Sequence, residues 1–562
     1  MVRLFETHKV RKTEELSGKL WDVTLMNGEY AGKKYRMMVP GCLEAYPGLG
    51  NYRGWACYET AFIAEGNIRL EFKGVSHFAK VYVDGKQVAE HYGSYTPFTV
   101  IVPALLAGRH TLRVMVDNAF RDEYTLDMPN DYMSYGGISR GVMLEQVPEA
   151  YIDYIHVTPL REEEGVWTVR AEVCCHNLSP KNVKANVKIT IAGASPETRM
   201  CELEAGRNIL KFGEIQISGV TTWSMEAPVL YEAEAALIQD GKEIDDLKDR
   251  IGFRIVSVCG RDILLNGKVL RIKGFCRHED HPQYGCALPA QAIMHDLTLI
   301  KDMGANSVRT THYPNDELFL DICDELGILV WEENHARGIE SEQMKHPGFE
   351  EQCEQVIREM ITAHYNHPSI YVWGILNECG SESKFGRSCY VAQYDLIRKL
   401  DISRPCTSAS CKFNQDICQD IPDICSWNMY PYWYDERSAT EMAGDVMHYV
   451  ETDGNGAGKP FLVSEIGAGG IYAFRDPAHD IWSEDLQAEI IGKQLRELAD
   501  MENCAGMYIW QFCDVRVSRI SWAIRRPKSR NNKGVVDEYR RPKMAYQVVK
   551  EIFTKIPDYR EK

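Results

Sequence analysis

The sequence predicts two β-sandwiches followed by a (β/α)8 barrel, and three observations carry that expectation. A chain of 562 residues exceeds what one hydrophobic core supports and divides into about three or four domains. From residue 20 to about residue 254, apolar residues fall in short alternating runs broken by turn signals, the pattern of half-buried strands. After about residue 255, short apolar runs alternate with longer helical patterns, as in parallel strands joined by helices.

The first domain is expected over residues 1–148. Its Leu70 to Val116 stretch alternates in short segments such as Ala79-Lys80-Val81-Tyr82-Val83, and the Asp84-Gly85 that follows suits a tight hairpin turn. The second domain, residues 149–254, contains strand-like runs at Trp167–Val173, Val183–Ile191 and Ala233–Ile238, and its length of about 100 residues fits an immunoglobulin-like sandwich. Residues 255–562 hold eight candidate strands: Leu270–Phe275, Ser307–Thr310, Ile328–Trp331, Ile370–Leu376, Pro405–Ser408, Ile424–Asn428, Phe461–Ser464 and Met507–Gln511. Eight such strands in one domain point to a closed barrel, whose chemistry sits at the C-terminal strand ends.

Composition excludes several classes. A formal net charge of −17 argues against a nucleic-acid partner. No stretch approaches the length of a membrane span, and the first twenty residues lack an apolar signal core. The 18 cysteines form no CxxC pair and no zinc spacing, so free thiols in a reducing cytoplasm, with no metal and no cofactor, are the expectation.

Two polar residues at the predicted strand ends stand out. The fourth strand runs into Asn377-Glu378 and the seventh into Ser464-Glu465. A lone glutamate after a strand is ordinarily a solvated loop residue. Two of them at the mouth of one barrel form the pair that glycosidic hydrolysis needs, one to protonate the leaving oxygen and one to attack; retaining enzymes hold them about 5–5.5 Å apart.

With these residues the chain resembles glycoside hydrolase family 2, and within it the β-glucuronidase branch. The resemblance rests on Val39-Pro40-Gly41, Tyr135-Gly136-Gly137-Ile138-Ser139-Arg140, Lys273-Gly274-Phe275-Cys276-Arg277-His278-Glu279-Asp280, Arg309-Thr310-Thr311-His312-Tyr313-Pro314 and Asn377-Glu378. It implies a jelly-roll sandwich, an immunoglobulin-like sandwich and a (β/α)8 barrel, with Glu378 as acid/base and Glu465 as nucleophile. It further implies that Asn377 bonds the sugar 2-hydroxyl, that Tyr430 orients the nucleophile, and that His312 and Trp510 line the sugar pocket. The acid/base carboxyl is expected to be raised by burial and by its neighbour. The resemblance also implies assembly as a homodimer or homotetramer.

Arg525-Arg526-Pro527-Lys528-Ser529-Arg530-Asn531-Asn532-Lys533 concentrates positive charge in an acidic chain. On its own such a run is usually a solvated loop. The resemblance makes Asn531 and Lys533 an Asn-x-Lys clamp for the C6 carboxylate of a uronic acid, with Asp131 reaching in from the first domain. Two departures from the branch bear on the substrate. Arg337 stands where a small apolar residue is expected, and an arginine fork there suits the axial 4-hydroxyl of galacturonic acid; the alternative is that it faces solvent or pairs with Glu340 or Glu342. The chain is also short between Gly338 and the helix near Glu350–His364, which predicts an open mouth for oligosaccharide ends. The expectation is therefore an exo-β-hexuronidase acting on terminal β-D-galacturonides. The alternatives are a β-glucuronidase, a β-galactosidase or a carbohydrate-binding protein without activity. Tyr434 either shapes the pocket or packs.

Overall fold

The computed structural model describes residues 2–560. In the first domain, alternation places Trp21, Val23 and Leu25 inside and Leu20 outside on the strand Lys19–Leu25. The Leu70–Val116 stretch holds the short strands Phe78–Val83 and Lys86–Tyr92, as expected, and also the long strand Phe98–Asp117, which pairs antiparallel with the long Trp55–Phe72 before it. Their pairing slips between Ala64 and Ile68. Such bulges bend a sheet, and one hydrogen-bonded sheet closes over a single core of Trp21, Tyr58, Phe62 and Phe72. Asp84 and Gly85, at φ of 49° and 81°, make the hairpin between Phe78–Val83 and Lys86–Tyr92. Next come a three-stranded and a four-stranded antiparallel sheet, packed face to face over Trp167, Val187, Leu237 and Phe253.

The barrel is closed and parallel, and each strand pairs with the next: β1 (Ile272–Cys276), β2 (Ser307–Arg309), β3 (Leu329–Glu333), β4 (Ile370–Ile375), β5 (Cys406–Ser410), β6 (Ile424–Asn428), β7 (Phe461–Ile466) and β8 (Cys504–Ile509). These strands are buried along their whole length, which is why they read as apolar runs. Leu270, expected to open β1, instead belongs to a small antiparallel sheet that the chain's last described strand, Tyr559–Arg560, completes. Trp331, Tyr371 and Tyr508 fill the interior, where the Tyr508 hydroxyl meets those of Ser307 (2.6 Å) and Tyr371 (2.9 Å). Gly374 makes room for this layer, because a Cβ there would lie 2.2 Å from Trp331 Nε1.

The first domain is fastened to the barrel by buried polar contacts. Arg140 pairs with Glu279 (2.8 Å), Lys73 with Glu317 (2.5 Å), and the Tyr135 hydroxyl donates to Asp280 (2.9 Å). The Cys42 and Cys286 sulfurs lie 3.5 Å apart as free thiols across the same seam.

Candidate active site

Glu465 is the penultimate residue of β7, and Glu378 follows β4 by three residues. The turn after β4 is sharp: Leu376 and Glu378 both take left-handed backbone conformations, at φ of 48° and 53°. Side chains disfavour that region, and such strain persists only where surroundings over-determine it. Here Leu376 N–H donates to Asn334 Oδ1 (3.1 Å), Asn377 N–H to the Ala336 carbonyl (2.9 Å) and Glu378 N–H to the Ala409 carbonyl (2.9 Å).

The two carboxyls share one polar cluster. Asn428, at the end of β6 and in register with Glu465, donates to Glu378 Oε1 (3.0 Å) and Asn377 Oδ1 (3.0 Å). The Tyr430 hydroxyl donates to Glu465 Oε2 (2.6 Å). The buried Arg309 at the end of β2 spreads its guanidinium over three side chains, Glu465 (3.1 Å), Asn377 Oδ1 (2.8 Å) and Glu333 (2.9 Å), and the Ser464 carbonyl (3.2 Å). His312 places Nδ1 2.7 Å from Glu333 and Nε2 3.8 Å from Glu465, and its ring stacks on Trp510, itself only 2% exposed. Burial, then Arg309 and Arg337, push the imidazole far below its usual range, so His312 is neutral.

Burial, then the charge of Glu378, push the Glu465 carboxyl up to about 8 against the pull of Arg309, Tyr430 and Arg337. The sequence places the raised carboxyl at Glu378. The structure puts the upward shift on Glu465 because it is the less exposed of the two, 5% against 20%. Like charges in one buried cluster resist being ionised together, so the site keeps a proton up to about 8.

Arg337 neither faces solvent nor meets Glu340 or Glu342. Its Nη2 lies 3.4 Å from Asp131 and 3.5 Å from Glu378; Glu340 pairs with Lys412, and Glu342 with Lys345. Asp131 also accepts from Arg526 (3.0 Å) and Asn531 (3.0 Å). Burial opposes its charge, but Arg337, Arg526 and Lys533 outweigh that and hold the carboxyl far below the usual range. Lys533 donates to the Tyr434 hydroxyl (2.5 Å) and lies over the Tyr430 and Tyr434 rings. Burial pushes its ammonium down. Tyr434 is 64% exposed and so stands at the mouth.

The residues singled out in the sequence thus come together in one place. Sequence reasoning did not assign roles to Arg309, Glu333, Asn428 and Arg526. Arg309 was visible within its motif and Arg526 within the basic run. Among the described residues, one cluster has metal-ligand geometry, Asp321, Asp324 and His367. It lies at the other end of the barrel, and its members are already engaged: Arg3 binds Asp321 through two nitrogens, and His367 lies 2.5 Å from Asp324.

Comparison with known proteins agrees with this architecture. The family model for the glycosyl hydrolases family 2 TIM barrel domain matches residues 256–557, that for the family 2 sugar binding domain residues 30–148, and a third family 2 model residues 150–254. A relative from Formosa agariphila is 28% identical over 551 residues; the match covers 91% of this chain but only 65% of that protein's length. A β-glucuronidase of Streptococcus agalactiae is 27% identical, covering 88% of this chain and 86% of its own. Among solved structures, a β-galacturonidase from Eisenbergiella tayi bound to galacturonate superposes with a TM-score of 0.98 at 52% identity, covering 100% of both chains. The β-glucuronidase of Bifidobacterium dentium, complexed with coumarin-3-O-glucuronide, gives 0.87 at 26% identity over 99% of each. On these matches and this fold, the chain belongs to glycoside hydrolase family 2.

Proposed function

We propose that this protein is a retaining exo-β-hexuronidase that releases terminal β-D-galacturonic acid from glycosides and oligosaccharides. The observation that carries the reading is the position of Arg337, drawn into the site between Asp131 and Glu378. Three cations, Arg337, Arg526 and Lys533, face one aspartate and a glutamate pair that keeps a single negative charge when it holds one proton. With Arg309 balanced by Glu333, one positive charge is left over. A uronate carboxylate neutralises it; a neutral hexose does not.

In the first half-reaction Glu465 attacks the anomeric carbon while Glu378 gives its proton to the leaving oxygen. In the second, Glu378 takes a proton from water, which displaces Glu465 with net retention. Tyr430 and Arg309 hold the attacking carboxylate by charge-assisted hydrogen bonds. Asn377 Oδ1 is occupied by Arg309 and Asn428, whereas its buried Nδ2 has no hydrogen-bond partner among the described residues, nor has His312 Nε2. Buried polar atoms are ordinarily satisfied, and sugar hydroxyls complete both: Asn377 donates to the 2-hydroxyl, and neutral His312 accepts. Arg337 meets the axial 4-hydroxyl, and Lys533 with Asn531 meets the C6 carboxylate. The E. tayi structure with galacturonate bound supports the galacturonide reading. The sequence relatives, β-glucuronidases among them, keep glucuronide as the second reading and neutral β-galactoside as the third.

Matched aryl β-D-galacturonide, β-D-glucuronide and β-D-galactoside test this directly. Preference for the galacturonide is expected; turnover of the galactoside alone would overturn the uronate clamp. We also assign the protein to the reducing cytoplasm, as a homodimer or homotetramer. The free thiols at Cys42 and Cys286 support the first assignment, and light scattering of the purified protein tests the second.

A further inference from the structure

Beside the clamp, the chain after β8 forms an open depression of about 850 Å³, walled by Trp482, Ile520, Trp522, Arg519, Arg525 and Arg526. Three features set it apart. Residues 519–530 carry five cations and no carboxylate in a chain of net charge −17. Arg519, Arg525 and Lys528 are exposed and have no side-chain partner among the described residues. Ile520 and Trp522 are 64% and 62% exposed, which is unusual for large apolar side chains grouped on one surface.

The depression is continuous with the site. Arg526 lies over Trp522 (5.0 Å) and also pairs with Asp131. On the other side, Trp482 packs on Trp433, which contacts Tyr434, the hydroxyl partner of Lys533. Through Arg526, Asp131 and Arg337 the depression also connects to Glu378, the residue that protonates the leaving oxygen in the reading above.

We propose that this depression is an aglycone subsite for a second acidic sugar, so that the substrate class is a β-galacturonide linked to a further uronic acid. The inference rests on the hexuronidase reading above. An exposed indole stacks on the face of a sugar ring, and guanidinium groups without carboxylate partners take a carboxylate by forked hydrogen bonds. A second copy of this chain is a poorer occupant: about a two-fold axis the patch would meet itself and bring like charges together.

The test compares two galacturonides that differ only in the aglycone, one a uronic acid and one the matching neutral hexose, with the aryl galacturonide as reference. The uronic-acid aglycone is expected to give the higher kcat/KM, with a preference that shrinks as salt rises. Arg519→Ala/Arg525→Ala is expected to cut kcat/KM for the acidic aglycone roughly tenfold and to leave the aryl galacturonide unchanged. Trp522→Ala is expected to slow both disaccharides. Equal rates on the two aglycones, or a double variant that keeps the wild-type ratio, would overturn the subsite while aryl turnover leaves the hexuronidase reading intact. Failure of all three substrates would instead strike that reading. Sedimentation of the double variant checks the other occupant: a smaller assembly than wild type would make the patch a subunit contact and end the proposal.

Discussion

Arg337→Ala gives the sharpest test of the substrate assignment. The substitution deletes a guanidinium that lies 3.4 Å from Asp131 and 3.5 Å from Glu378. Asp131 keeps Arg526 and Asn531, so the fold should survive. A charged hydrogen bond to a sugar hydroxyl is worth about 1.5–3 kcal/mol, which is roughly ten- to a hundredfold in kcat/KM for the galacturonide. The glucuronide lacks the axial hydroxyl and loses only the charge contribution that both uronates share, so its loss is the smaller of the two. A second readout comes from pH. The active pair holds one proton, so kcat/KM falls as pH rises through about 8, where that proton leaves. Arg337 is among the groups that hold the Glu465 carboxyl down, so its removal makes the proton harder to lose and moves the alkaline limb to higher pH. Initial rates on both aryl uronides across pH 5–10 give both numbers. Equal losses on the two sugars, or an alkaline limb that stays put or moves down, would refute the reasoning.

Three further outcomes follow from the same geometry. Glu465→Gln is expected to abolish turnover while galacturonate still binds by calorimetry; residual turnover above about a thousandth of wild type would remove Glu465 as nucleophile. Lys533→Met should lower kcat/KM on both uronides by roughly ten- to a hundredfold and spare any trace rate on the galactoside, because only the uronides carry the carboxylate; a parallel loss on the galactoside would make Lys533 a packing residue. Gly374→Ala drives a methyl group against Trp331 Nε1 and Glu333 Cβ, at 2.2 and 2.7 Å. It should cost about 1–3 kcal/mol in denaturant unfolding and also lower activity, since Glu333 anchors Arg309 and His312; an unchanged unfolding midpoint would show that the barrel layer yields there.

The barrel was legible because strands buried on both faces spell unbroken apolar words, and all eight candidates overlap an observed strand. The long sandwich strands were not, because Glu65-Gly66-Asn67 looks like a turn, whereas the chain carries straight on through a slip in register. Glu378 and Glu465 were legible as polar residues at strand ends. The partner of Arg337 was not: sequence proximity offers Glu340 and Glu342, and the real partner, Asp131, arrives from another domain. Asn428 is a lone amide after a strand, and nothing in its neighbourhood announces that it bridges Asn377 and Glu378. Arg526 could not be told from Arg525 either. Only the short helical turn Trp522–Arg525 and the left-handed Lys528 after it send one inward to Asp131 and leave the other in water.

Asp131 also bears on how such a protein changes over generations. Its carboxylate is owned by the first domain and read by the barrel, so the trait under selection belongs to the join between them. A barrel duplicated or transplanted without its companion would leave Arg526 without its carboxylate and Arg337 with Glu378 alone. A new first domain would have to supply a carboxylate at the same height before the borrowed barrel became useful. The first domain and the barrel can drift freely over most of their surfaces, yet at this point in the site they are heritable only as a pair.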